Sequence, residues 1–195
     1  MRKLVYYIAA SIDGFIADAA GDVSCFPLVP ETLEHLFDRY PETCPAHLRE
    51  AFGVTAGPKR FDTVLLGRRT QEPALQAGLV AGAYPHLRQI VATHRGLPES
   101  AGIELIEGDL APQITALKRQ SGGDIWLCGG GDIAGQLIDL IDEVQLKVNP
   151  VLLGDGIGLF GRVARCREFL PVGMESLPGG VTLATYRAAA PAPAA

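Results

Sequence analysis

The sequence predicts an α/β protein: a three-layer αβα sandwich around a mixed, mostly parallel central sheet. Three observations carry this. Apolar runs of strand length alternate with segments at helical spacing through the first three quarters of the chain. The runs at 3–11, 63–67 and 125–128 are mostly apolar, as strands buried on both faces are. Past Asp142 the pattern changes to alternation and a hairpin, which adds antiparallel strands near one edge.

Taken in order, residues 3–11 are the first strand, and Asp13-Gly14 marks the turn after it. Residues 19–30 read as loop, with a short irregular element at 22–26. Thr32 stands where it can cap a helix through Phe37 or Asp38, with Leu33, Leu36 and Phe37 inward. Residues 47–54 read as a second helical piece presenting Leu48, Ala51 and Phe52, ended by Gly53, Gly57 and Pro58. The strand at 63–67 runs straight into a helix that continues through Gln76. Residues 87–93 and 103–106 are two further strands, and 110–120 is a helix with Leu110, Ile114 and Leu117 inward. The next strand, Ile125-Trp126-Leu127-Cys128, stops at Gly129-Gly130-Gly131. Ile133, Leu137, Ile138 and Ile141 then recur at helical spacing. Residues 142–150 alternate, with Val144, Leu146 and Val148 on one face. Residues 165–172 and 181–187 read as two strands joined across 177–180. Residues 1–188 make one domain; the tail, 189–195, is low in complexity and expected to be disordered.

Composition narrows the function. Apolar residues make up 48% of 195, enough for one large core. A net charge of −5 argues against a general nucleic-acid binder, which needs a basic footprint. No apolar run has the length of a membrane span. The N-terminal apolar stretch is short and broken by Tyr6, Tyr7 and Ser11, so it reads as a strand and not as a leader. Cys25, Cys44, Cys128 and Cys166 are scattered, which suits reduced thiols in the cytoplasm and gives no zinc spacing. The histidines add no metal motif.

Two stretches point to a phosphorylated ligand. Glycines 129–131 join a strand to a helix, letting the backbone approach a ligand beside free N–H groups. The order is not Gly-x-Gly-x-x-Gly, because Ala134 takes the last glycine's place, and no Lys-Ser/Thr pair makes a Walker loop. A tight connection without a ligand is the competing explanation. Arg68 and Arg69 follow the strand at 63–67, and ligands of open α/β sheets bind outside the carboxyl ends of strands. Guanidinium forks suit a phosphate monoester, and a bound anion would offset cations at a helix start.

Four segments in order resemble the dihydrofolate reductase family. They are 9–17 (AASIDGFIA), Gly67-Arg68-Arg69-Thr70, Thr93-His94-Arg95 and 129–134 (GGGDIA). The phrase 149–160 (NPVLLGDGIGLF) is similar to the branch that includes the C-terminal reductase domain of the riboflavin-biosynthesis deaminase-reductase. The resemblance spans roughly residues 2–187. It implies NADPH as hydride donor and a small pterin, aminopyrimidine or ribosyl-pyrimidine-like acceptor. It matches Gly67, Arg68, Arg69 and Thr70 to the 2′-phosphate segment, and Thr93 and His94 to the adenine-ribose loop. Gly129, Gly130, Gly131, Asp132, Ile133 and Ala134 match the turn under the pyrophosphate and nicotinamide, and Ala10 and Ile16 the nicotinamide lining. It also implies a homodimer.

The acceptor side departs from the pattern. Riboflavin-pathway reductases carry an acidic residue before a glycine pair, where this chain has Gly129. They carry Asp-x-Pro after the matching threonine, where it reads Gln71-Glu72-Pro73. Asp13 is the candidate substrate residue, against a turn-forming Asp; Glu50 aligns loosely with a pterin-holding carboxylate. The alternatives are a non-catalytic NADP-binding or ligand-sensing protein on the same fold, and a flavodoxin-like domain, which the late antiparallel strands oppose.

Overall fold

The computed structural model describes residues 1–97, 100–161, 163 and 166–190. Its main sheet has eight strands: β1 (Leu4–Ala10), β3 (Phe61–Gly67), β4 (Arg88–Ala92), β5 (Ile103–Ile106), β6 (Asp124–Gly129), β7 (Glu143–Val148), β9 (Phe169–Ser176) and β10 (Thr182–Ala188). Their order across the sheet is β5-β4-β3-β6-β1-β7-β10-β9. β5 through β7 run parallel, and β10 and β9 antiparallel. A separate pair, β2 (Phe15–Ala17) with β8 (Ile157–Gly158), ties the loop after β1 to the 157–158 segment. The helices are α1 (Pro30–Arg39), α2 (Arg68–Gln76), α3 (Leu110–Arg119) and α4 (Gly131–Gln136).

Strand alternation sends side chains to two cores. Leu4, Tyr6, Ile125, Leu127 and Val144 face Ile114, Leu117, Ile133 and Leu137 on one side. Val5, Tyr7, Val64, Trp126 and Leu183 face Leu36, Leu87 and Leu177 on the other. This is the expected three-layer arrangement.

Three local expectations change. Thr32 is not the cap of α1: the helix starts at Pro30, whose fixed φ suits a first turn, with Val29 as N-cap. Thr32 is buried, and its hydroxyl donates to the Pro178 carbonyl. Residues 47–54 form no α-helix. A 3-10 turn, Ala46–Leu48, is followed by single turns that close at Gly53, whose φ of +61° suits glycine. The strand expected from residue 165 runs over Phe169–Ser176; Arg165 lies outside the described residues. So do residues 191–195 of the tail, while Ala189 still donates to the Glu168 carbonyl at 3.0 Å.

The amino ends of the strands are cross-linked by charge. Arg2 pairs with Asp62, Arg60 bridges Asp124 (3.0 Å) and Glu143 (2.9 Å), and Lys118 meets Asp142 at 2.6 Å. The fully buried Glu42 accepts backbone N–H bonds from Lys59, Arg60 and Phe61 at 2.7–3.0 Å.

Candidate functional site

Parallel order brings the expected segments together at the carboxyl ends of β4, β3, β6, β1 and β7. Gly67 pairs in register with Ala92, Leu66 with Gly129, and Ala10 with Val148. Neighbouring strand ends are ~5 Å apart, so these segments share one rim.

The glycines of the turn differ in the space around them. Gly129 has φ +146°, in the range that favours glycine, and its peptide to Gly130 is cis. A Cβ at Gly129 or Gly130 would meet Ile8, Ile16 and the Thr70 hydroxyl at ordinary distances, 3.6–3.9 Å. These two glycines therefore leave room at the rim. Gly131 does not: a Cβ there would overlap the Gly158 carbonyl and stand 2.9 Å from the Gly161 nitrogen. Gly131 needs to be glycine because the 158–161 loop crosses it. Ile133 and Ala134 are core residues, so only their backbone can face the rim, while Asp132 is exposed.

Gly67 leads into α2 with no side-chain cap, which leaves the first-turn N–H groups of that helix without a side-chain acceptor. Arg68 is tied to Glu72 one turn on, at 2.8 Å. Arg69 is exposed and pairs with nothing among the described residues. Thr93 is buried; its hydroxyl bonds the Arg95 carbonyl and accepts from the Arg95 N–H at 3.0 Å. That closed turn presents His94 and Arg95 outward.

Ala10 is buried at the end of β1, and Ile16 lies across from Gly130. Asp13 is exposed. Its carboxylate accepts N–H bonds from Leu153 (3.2 Å) and Gly154 (2.7 Å). The Ser11 hydroxyl and these amides hold it down at about 2, below the usual carboxylate range. It thus pins the 153–154 loop to the β1 end. Glu50 is exposed in the 46–53 turns.

Sequence reading missed the opposite face of this rim. Cys128, Ala9 and Lys147 lie on interior strands β6, β1 and β7, yet each keeps partial exposure. Lys147 Nζ stands 4.1 Å from the centre of the Tyr7 ring. Dense surroundings push its pKa down to about 8 and that of the Cys128 thiol up to about 12. The signal was an isolated lysine within the alternating stretch 142–150, which looks the same as a solvated position.

A sequence profile of the RibD C-terminal domain matches residues 2–183. The chain belongs to the RibD C-terminal domain family. The uncharacterized protein YwjB of Bacillus subtilis (strain 168) is 28% identical over 192 residues, spanning 96% of this chain and 99% of its own. A putative riboflavin biosynthesis protein from Shewanella sp. PV-4 superposes with a TM-score of 0.65 at 23% identity, covering 97% of this chain and 100% of that one. Dihydrofolate reductase from Enterococcus faecalis, in complex with NADP(H), gives 0.60 at 17% identity, covering 95% and 96%. The fold is thus that of dihydrofolate reductase. No described helix is long and apolar enough to cross a membrane. The four cysteines are free of disulfides.

Proposed function

We propose that this protein is an NADPH-dependent reductase that transfers hydride to a pterin, aminopyrimidine or ribosyl-pyrimidine-like small molecule. The observation that carries the reading is the rim itself: open glycines at 129–130 beside an uncapped α2 start and an unpaired Arg69. Family membership and a structural relative solved with NADP(H) support it.

The residues present fit the cofactor. Arg69, with the half-shared Arg68 and the amides after Gly67, would take the 2′-phosphate. Thr93 and His94 would flank the adenine ribose, and the backbone at 129–134 the pyrophosphate. Ala10 and Ile16 would pack on the nicotinamide. When bound, the nicotinamide supplies hydride; the protein's part is to orient the acceptor against it and exclude water. Asp13, already held by two amides, would shape the substrate loop at 153–154.

Titration of the purified protein with NADPH and NADH, followed by fluorescence, tests this. Tight NADPH with weak NADH is expected. Binding of neither would overturn the reading.

The reading includes a homodimer. β9 is an edge strand, and Leu170, Val172 and Met174 stand along it at 50%, 53% and 71% exposure, with Leu170 and Met174 on opposite faces either side of a bulge. Sedimentation should show a dimer that Val172→Glu splits; a monomeric wild type would refute it.

A further inference from the structure

The recess on the α1 side of the sheet has a definite chemistry. Cys128, Ala9 and Lys147 belong to three adjacent interior strands, with Ala9 and Lys147 paired in register. Residues so placed are ordinarily covered, and their partial exposure marks an opening directly below the glycine turn. Tyr84, partly exposed, borders it and faces the Cys128 thiol; Tyr7 under the amine and Trp126, edge-on to Tyr84 at 4.9 Å, are buried behind.

Lys147 is the one cation in this opening among the described residues, and no carboxylate there answers it. The Tyr7 hydroxyl is buried and has no hydrogen-bond partner among the described residues. Burial holds Cys128, Tyr84 and Tyr7 neutral, since each resists losing its proton. The nearest acid along β7, Glu143, is occupied by Arg60 and Gln145 at 2.9 and 2.6 Å. A partly desolvated ammonium with three donors and no acceptor is costly unless a ligand oxygen completes it.

We propose that Lys147 is the specificity-determining residue of the acceptor pocket. The acceptor it selects is a flat heterocycle presenting a carbonyl or enolate oxygen, in preference to a basic diaminopyrimidine. The partly exposed Tyr84 ring offers the heterocycle a flat neighbour, and the ammonium donates to the oxygen in a charge-assisted hydrogen bond. The inference deepens the reductase reading and rests on it for the reaction, though not for the binding.

Calorimetric titration at pH 7 with barbituric acid, an anionic pyrimidinetrione, and with 2,4-diaminopyrimidine tests it. Wild type should prefer barbiturate by about tenfold or more. Lys147→Met should abolish that preference while its NADPH titration stays within about twofold, which also reports that it is folded. Lys147→Arg, which keeps the charge, should retain a preference. Equal affinity for the two probes, binding of neither, or an unchanged preference in Lys147→Met would overturn the proposal. Selection of barbiturate by a protein that binds no NADPH would leave the proposal standing and remove the reductase reading.

Discussion

At the amino end of the sheet, Arg2, Arg60 and Lys118 each meet a carboxylate; at the carboxyl end, Arg69 and Lys147 meet none among the described residues. The two ends belong to the same strands and differ by a few residues in register. One end satisfies its charges internally, and Glu42 spends its carboxylate wholly on three backbone amides. The other leaves cations and helix-start amides without partners. Lys147 is an unpaired, partly buried charge, which lowers stability, and this fits the proposed binding role of that end. On the proposed function, the contrast separates groups that hold the fold from groups left for a ligand.

The sharpest break of the amino end is Glu42→Ala. It strands three N–H groups in a fully buried setting and should cost about 3–5 kcal/mol. Urea denaturation measures this. NADPH affinity of the folded fraction should stay unchanged, because β3 enters the site at its other end. Loss of cofactor binding without loss of stability would show that the two ends are not separable in this way.

At the carboxyl end the sign reverses. Lys147→Met should stabilise the protein at pH 7 by about 1–2 kcal/mol, a figure reduced because the residue keeps some solvent contact. The gain depends on pH. Folded Lys147 has its pKa pushed down to about 8, below its value in the unfolded chain. Below pH 8 the ammonium is charged in both states and the penalty is complete. As pH rises past 8 the folded protein releases its proton first, the penalty shrinks, and wild type closes on the variant. Thermal unfolding of both proteins from pH 7 to 10 reads this directly. A destabilised Lys147→Met at every pH would make Lys147 a packing residue.

The same division governs what a sequence discloses. Sites built from backbone leave glycines, and strand-end arginines leave charge at a fixed place. So the meeting of 67–70 and 129–130 at one end of the sheet was legible, as was the order of strands and helices. Gly131 shows the limit: its glycine is required by the 158–161 loop, a tertiary contact that no local pattern carries. Lys147 was invisible for a similar reason. In an alternating strand a polar residue at every second place reads as solvated, and only the packing of β1, β6 and β7 together leaves this one partly covered over the Tyr7 ring. The short turns at 46–53 imitated a helix because their apolar residues fall near helical spacing, while their bonds close as single turns.

The smallest effect discriminates best within the cofactor side, because it sets two adjacent arginines against each other. Arg68 already shares its guanidinium with Glu72, and Arg69 is free among the described residues. Arg69→Ala should weaken NADPH about tenfold, leave NADH within about twofold, and move stability by no more than about 0.5 kcal/mol. Arg68→Ala should weaken NADPH less, since part of its charge is spent within the helix, and should cost about 0.3–0.5 kcal/mol of stability through the lost i,i+4 pair. Both cofactors carry the pyrophosphate, and only NADPH carries the 2′-phosphate. Equal loss of the two with Arg69→Ala would therefore assign this arginine to the shared phosphates. No loss of either would move the anion site toward Arg95, the other exposed cation on the rim, and α2 would then begin at the edge of the site without closing it.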